Sequence, residues 1–184
     1  MDISYQIPRA ALGWVLAAVV LVIAPLSIRM PMWVSAIAML CVFWRLLIFT
    51  GNLNFPGRLT RIAVVIFTLI VSASQMRNLG VGLDSAASLL ALGFVFKLIE
   101  MRQNRDIYVV ISLCFVMLMV GFLYSQSVLM TLYIAVVVTI VTGAMIAMNR
   151  SILIVDSAGT LRMAVKIILQ AIPLAVVLFM VFPA

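Results

Sequence analysis

Apolar runs of roughly membrane-crossing length alternate with short polar connectors along the chain. A helix that crosses a bilayer needs about 20 mostly apolar residues. The pattern predicts seven such helices, with six as the alternative, and therefore an all-α polytopic membrane bundle. The expected spans are Ala10–Ile28, Met32–Thr50, Thr60–Met76, Ser85–Ile99, Ile107–Tyr124, Val128–Met148 and Ala164–Phe182.

The connectors are short and carry turn residues, such as Pro31 after the first run and Pro56 after the second. The longest is 149–162, which is half apolar, and we expect it to lie along the membrane interface. No connector is long enough for a soluble domain, so we expect residues 1–184 to form one transmembrane domain. The first apolar run is too long for a cleaved signal peptide and is interpreted as a retained signal-anchor.

Composition supports a membrane environment. The chain is 67% hydrophobic and 9% charged, whereas soluble domains carry roughly 25% charged residues. Its net charge of +7 is interpreted as loop charge that faces anionic lipid. The basic residues do not alternate with exposed aromatic ones, so we expect membrane lipids as partners and no nucleic acid.

The residue inventory excludes several kinds of site. The chain has no His and only five Asp and Glu, so a Ser-His-Asp or Cys-His arrangement cannot be built from it. Cys41 and Cys114 both lie in apolar runs and are expected to be buried thiols rather than a redox pair. We therefore predict no catalytic residue, no metal site and no cofactor in this chain.

The basic residues predict an orientation. If the amino terminus is cytoplasmic, ten of the twelve fall on the cytoplasmic side, and such a bias sets topology. Seven spans then place the carboxyl end across the membrane. The ten are Arg9, Arg45, Arg58, Arg61, Lys97, Arg102, Arg105, Arg150, Arg162 and Lys166, and the outer two are Arg29 and Arg77.

Five of the seventeen charged residues lie in the ten positions 97–106, at the end of the fourth span and in the connection to the fifth. The simplest interpretation is a helix end anchored by local pairs, since Lys97 and Glu100 are three apart and Arg102 and Asp106 are four apart. A cytoplasmic docking or regulatory surface is the functional alternative. The five are Lys97, Glu100, Arg102, Arg105 and Asp106.

Arg45 follows Phe43 and Trp44 near the cytoplasmic end of the second span. It is either a snorkelling anchor in an aromatic belt or a cross-bundle partner of Glu100 or Asp106. A different class of function also stays open: a small transporter or lipid-binding protein in which Arg45, Lys97 and Glu100 line a cytoplasm-facing cavity.

Small residues recur at a spacing of four on two spans, which allows helix backbones to approach closely. They are Ala87 and Ala91 on the fourth span, and Thr139, Gly143 and Ala147 on the sixth. We expect these faces to lie inside the bundle.

The segment "KLIEMRQNRD" resembles a stretch of the transglutaminase-like TgpA family, in its amino-terminal membrane domain. Further similar segments follow the family order: "IPR" early, then "WRLLIFTGNLNFPGRLTR", "GVGLDSAASLLAL", "FLYSQS" and "QAIPLAVVLFMVFP" near the end. The resemblance covers nearly the whole chain, and its specificity lies in the order and spacing of the pieces.

The resemblance implies a bacterial inner-membrane protein whose membrane domain precedes a periplasmic transglutaminase-like domain with a Cys-His-Asp triad. No triad position exists in this chain, so the implied role is a non-catalytic domain that anchors and positions such an enzyme domain. Lys97, Glu100, Arg102, Arg105 and Asp106 correspond to a family signature without an assigned role.

Overall fold

The computed structural model describes residues 9–27, 31–50, 62, 66, 70, 82–101, 104–149 and 157–182. Within these residues the chain forms six α-helices and no strand. They are α1 (Arg9–Ser27), α2 (Met32–Phe49), α3 (Leu83–Glu100), α4 (Asn104–Tyr124), α5 (Val128–Asn149) and α6 (Ser157–Val181).

The first, second, fourth, fifth and sixth predicted spans agree with α1 to α5 to within three residues at each end. The third predicted span, 60–76, lies outside the described residues except for Ile62, Ile66 and Ile70. Those three are helical, and more than half of each side chain is exposed.

The start of α6 corrects the expectation for the longest connector. The helix begins at Ser157 rather than at Ala164, so residues 157–162 belong to α6 rather than to the connector. Packing explains the difference, because Thr160 and Ala164 lie one turn apart on the side of α6 that meets α5, and both are fully buried. The polar composition of this turn hid that contact in the sequence.

Four helices form a closed ring: α1 packs on α2 and α4, and α3 packs on the same two helices. Helix α5 lies outside the ring against α1 and α4, and α6 contacts only α5 among the described helices. The core inside the ring is apolar. Its largest fully buried side chains include Phe94, Leu98, Met101, Ile107 and Met117.

Contacts near the helix ends fix the helix directions. Tyr124 at the end of α4 bonds to Asp84 at the start of α3, and Tyr108 at the start of α4 bonds to Asn149 at the end of α5. Helix α4 is therefore antiparallel to both α3 and α5. Leu26 at the end of α1 lies beside Gly121 near the end of α4, so α1 and α4 are parallel.

Helices α2 and α3 consequently run in the same direction. Only residues 28–31 separate α1 from α2, and a connection this short between packed helices makes them antiparallel. Because α3 is also antiparallel to α1, Thr50 at the end of α2 and Gly82 before α3 lie at opposite ends of the bundle. The two helices are nevertheless in contact.

The outer surface of the bundle is strongly apolar. Met39, Leu40 and Phe43 on one side of α2 are each more than 60% exposed, and so are Leu129 and Leu132 on α5. Monomeric soluble proteins rarely expose contiguous apolar patches of this kind. Three helical segments, Arg105–Tyr124, Val128–Asn149 and Ser157–Leu178, are long and apolar enough to cross a membrane, and Ala11–Ser27 and Met32–Ile48 are shorter apolar helices.

A tyrosine on α5 compensates for a proline in α1. Pro25 has no amide N–H, so the carbonyl four residues earlier, at Leu21, cannot receive its helical hydrogen bond. The Tyr133 hydroxyl donates to that Leu21 oxygen at 2.6 Å. The freed carbonyl is thus satisfied by a neighbouring helix, which is what a bilayer core without water requires.

We expect Tyr133→Phe to lower the free energy of unfolding in detergent micelles by about 1 kcal/mol, because the Leu21 carbonyl then lacks a donor. In a Pro25→Ala background the same change should cost less, since the alanine amide can donate to Leu21 instead. Tyr108→Phe, which removes the bond to Asn149, is the matched control and should not couple to Pro25→Ala. Equal costs of Tyr133→Phe in both backgrounds would contradict the pairing.

Candidate functional site

The charged residues predicted to form a helix-end anchor or a docking surface lie where α3 ends and α4 begins. Lys97 and Glu100 lie in the last turn of α3, and Arg105 and Asp106 lie in the first turn of α4. We call these four residues the acid–base cluster. Arg102, the fifth predicted member, lies outside the described residues. The bundle end that carries the cluster is called the charged end.

The end of α3 and the start of α4 hold the cluster in place. Met101 follows α3, is fully buried, and its amide donates to the Lys97 carbonyl at 3.1 Å. The hydrogen bond extends the last turn of α3, and the burial of Met101 packs the end of this helix against the core. A cation in the last turn of a helix and an anion in the first turn both favour the helix dipole, so Lys97 and Asp106 each stabilise their own helix end.

Lys97 is the centre of the cluster. Its Nζ lies 3.1 Å from Asp106 Oδ1 and 3.4 Å from Glu100 Oε2. The pair with Glu100 is the local one predicted from the spacing of three, whereas the pair with Asp106 joins α3 to α4. The two carboxylates differ in burial: the Asp106 side chain is 15% exposed, and the Glu100 side chain is 56% exposed.

Arg45 is almost completely buried, with 2% of its surface exposed. It lies in the last part of α2, which runs parallel to α3 and contacts it, so it belongs to the charged end. The predicted pairing of Arg45 with Glu100 or Asp106 stays a prediction. A buried guanidinium within an apolar bundle differs from the lipid-facing anchor that was one of the two sequence interpretations.

A third contact at the charged end involves no charge. The Tyr108 hydroxyl donates to Asn149 Oδ1 at 3.0 Å, and Asn149 Nδ2 donates to the Met145 carbonyl at 2.9 Å. The Tyr108–Asn149 hydrogen bond joins the start of α4 to the end of α5. The sequence interpretation did not include it, since a Tyr and an Asn 41 positions apart give no local signal.

The chemistry available here is ion pairing and hydrogen bonding. Among the described residues, no three His, Cys, Asp or Glu side chains are grouped so that they could hold a metal ion. Cys41 and Cys114 are free and buried, as predicted. The acid–base cluster joins two helix ends and leaves Glu100 and Arg105 exposed at the surface.

The opposite end of the bundle carries a groove that none of the predicted site residues line. It has a volume of about 710 Å³ and lies between the ends of α1 and α4 and the start of α5. Sequence reasoning missed it, although Pro25 within the first span and Tyr133 within the sixth were visible signals. Both residues line this groove.

Comparison with known proteins gives the family. Residues 14–184 match the TgpA N-terminal domain. The chain is 37% identical over 179 residues to a protein-glutamine gamma-glutamyltransferase of Pseudomonas aeruginosa, an alignment that covers 96% of this chain and 26% of that protein. The chain thus spans about a quarter of the length of this curated relative. No solved structure matches the chain. The family match covers far more than half of the sequence, and this chain therefore belongs to the TgpA N-terminal domain family.

Proposed function

We propose that this chain is a non-catalytic membrane domain that anchors and positions a transglutaminase-like enzyme domain. The observation that carries the proposal is the family match over residues 14–184, together with a much longer relative named as a gamma-glutamyltransferase. In this proposal the enzyme domain lies outside the present sequence, and residues 1–184 form a single transmembrane domain.

The proposed topology has seven spans, a cytoplasmic amino terminus and a periplasmic carboxyl end, in the bacterial inner membrane. Helix directions support the span count, because α2 and α3 are parallel neighbours and 51–82 connects opposite ends of the bundle. Charge supports the orientation, since Arg45, Lys97 and Arg105 share the charged end and basic residues favour the cytoplasmic side.

The acid–base cluster fits a structural role within this proposal. Lys97 joins the ends of two helices through Asp106, which fixes the α3–α4 hairpin at the cytoplasmic surface. Glu100 and Arg105 stay exposed and offer a cytoplasmic docking surface of mixed charge.

The transporter or lipid-binding alternative required Arg45, Lys97 and Glu100 to line one cytoplasm-facing cavity. The described groove lies at the other end of the bundle and includes none of these residues. Lys97 is instead engaged in two ion pairs. These observations favour the anchoring function over a charged transport path.

Reporter fusions test the anchoring proposal. A reporter that is active only outside the cytoplasm, fused after Ala184, should be active, and the fusion should stay in the membrane fraction after alkaline extraction. A fusion after Asn149, which lacks α6, is the matched control and should be inactive, since α6 would carry the reporter across. Activity after Asn149 and none after Ala184 would refute the proposed topology.

A further inference from the structure

We infer that the groove at the end opposite the acid–base cluster binds one acyl chain of a membrane phospholipid. The inference rests on the proposed membrane location of the chain. It concerns a site that shares no residue with the acid–base cluster, because the groove is lined by the ends of α1 and α4, the 125–127 turn and the start of α5.

The groove has a closed floor and open sides. Leu26 and Gly121 form the floor and are buried, whereas Leu129, Leu132 and Val136 on the sides are each more than half exposed. A molecule can therefore enter sideways from the hydrocarbon that surrounds the bundle. The volume of about 710 Å³ lies within the range of roughly 300–1,000 Å³ found for small-ligand sites.

The absence of a side chain at Gly121 keeps the floor open. A Cβ added there would lie 3.4 Å from Leu26 Cδ1 and 3.6 Å from Met130 Cε. A residue larger than alanine would have to displace Leu26 or Met130, both of which line the groove.

The two tyrosine hydroxyls in the lining already donate their protons within the protein. The Tyr133 hydroxyl donates to the Leu21 carbonyl and the Tyr124 hydroxyl donates to Asp84. Each phenol has a single O–H proton, so the two tyrosines have no donor left for a ligand. The interior thus suits a hydrocarbon chain, which needs no hydrogen bonds.

The remaining hydroxyls lie together at one end. Ser125 Oγ lies 3.4 Å from Ser127 Oγ, and Ser127 also accepts the Met130 amide hydrogen bond at 3.2 Å as the cap of α5. Both serines lie in the turn between α4 and α5. This polar rim beside an apolar groove matches an amphiphile whose polar part remains at the membrane surface.

The length of the groove matches an acyl chain that extends through one leaflet. From Ser127, the cap of α5, the lining runs along this helix to Val136, which at 1.5 Å per residue is about 14 Å. Half of the hydrocarbon core of a bilayer is about 15 Å thick. The groove therefore extends through one leaflet, with its rim at the surface and its inner end near the midplane.

Photolabelling in vesicles tests the inference. The purified chain is inserted into phosphatidylethanolamine and phosphatidylglycerol vesicles that contain a trace of phosphatidylcholine with a diazirine on one acyl chain. After irradiation, labelled positions are mapped by mass spectrometry. We expect strong labelling at Leu26 and Gly121, which only a chain inside the groove can reach, and little at Val19, which is fully buried in the core.

Two matched variants decide the outcome. Ala24→Phe fills the groove from an exposed wall position and should reduce labelling of Leu26 and Gly121 about tenfold, or about 1.4 kcal/mol in binding free energy. Ala175→Phe adds the same ring at an exposed position of α6 outside the groove and should change nothing. Val136→Trp is a second groove-filling variant, should Ala24→Phe not fold.

Floor labelling no stronger than that of Val19, or unchanged by both groove-filling variants, would overturn the inference and leave the anchoring proposal standing. If the chain separates from the vesicles in a density gradient, the membrane location is wrong, and this inference fails with it.

Discussion

Lys97→Met is expected to lower the free energy of unfolding by about 2 kcal/mol, because it leaves the shielded Asp106 carboxylate without its ammonium partner. The Lys97 Nζ to Asp106 Oδ1 distance is 3.1 Å, and the Asp106 side chain is only 15% exposed. Methionine keeps the length of the stem that packs along α3, so the loss reports the charge rather than the packing. Equilibrium unfolding in mixed detergent micelles, followed by helical circular dichroism, measures it.

Glu100→Gln is the control for this prediction. Its carboxylate also lies near Lys97, at 3.4 Å, but it is 56% exposed. Exposed pairs contribute about 0.2–1 kcal/mol, so the glutamine variant should lie close to the parent protein. A larger loss from Glu100→Gln than from Lys97→Met would contradict the assignment of Asp106 as the stronger partner.

Gly143→Leu is expected to be the most damaging single change at a helix contact, costing about 3 kcal/mol by overpacking. A Cβ at Gly143 would lie 3.4 Å from Trp14 Cζ3 and 3.8 Å from Ala164 Cβ. Alanine fits at those distances and should be nearly neutral. Leucine would push α5 away from both α1 and α6, which the same unfolding experiment detects.

Gly93→Leu is the matched control, because a Cβ at Gly93 meets nothing within 4 Å and the residue is exposed. It should cost little. Trp14→Ala should also relieve part of the Gly143→Leu penalty by removing the ring that the leucine meets. If Gly93→Leu and Gly143→Leu lower the free energy of unfolding equally, the loss comes from replacing a helical glycine and not from this contact.

Much of the helical framework could be predicted from the sequence, because the runs match the length that a bilayer imposes. The bounds of α1 to α5 follow directly from the apolar pattern. The small-residue faces were also predicted correctly: Ala87, Ala91, Gly143 and Ala147 are buried and Thr139 is half-buried. The start of α6 was missed, because its first turn is polar and is held by tertiary contacts of Thr160 and Ala164.

The interactions between distant residues could not be predicted. The spacing of three identified the Lys97–Glu100 pair. The spacing of four also predicted a pair between Asp106 and Arg102, and Arg102 lies outside the described residues. No spacing predicted that the structure brings Asp106 on α4 to Lys97 on α3. The Tyr133 bond to Leu21 joins residues 112 positions apart. A single sequence shows the proline that frees the carbonyl, but it cannot show which helix supplies the donor.

Single-cysteine labelling tests the central claim most directly, namely that the charged end is cytoplasmic and the groove end lies across the membrane. Cys41 and Cys114 are first replaced by alanine, and one cysteine is introduced by Gln126→Cys in the α4–α5 turn or by Arg105→Cys at the charged end; positions 105 and 126 are both exposed. The reagent is a maleimide that passes the outer membrane but cannot cross the inner membrane. In intact cells it should label position 126 at once. It should label position 105 only after the inner membrane is opened. Labelling of position 105 but not of position 126 in intact cells would contradict the orientation, and labelling of both would contradict a membrane-spanning bundle.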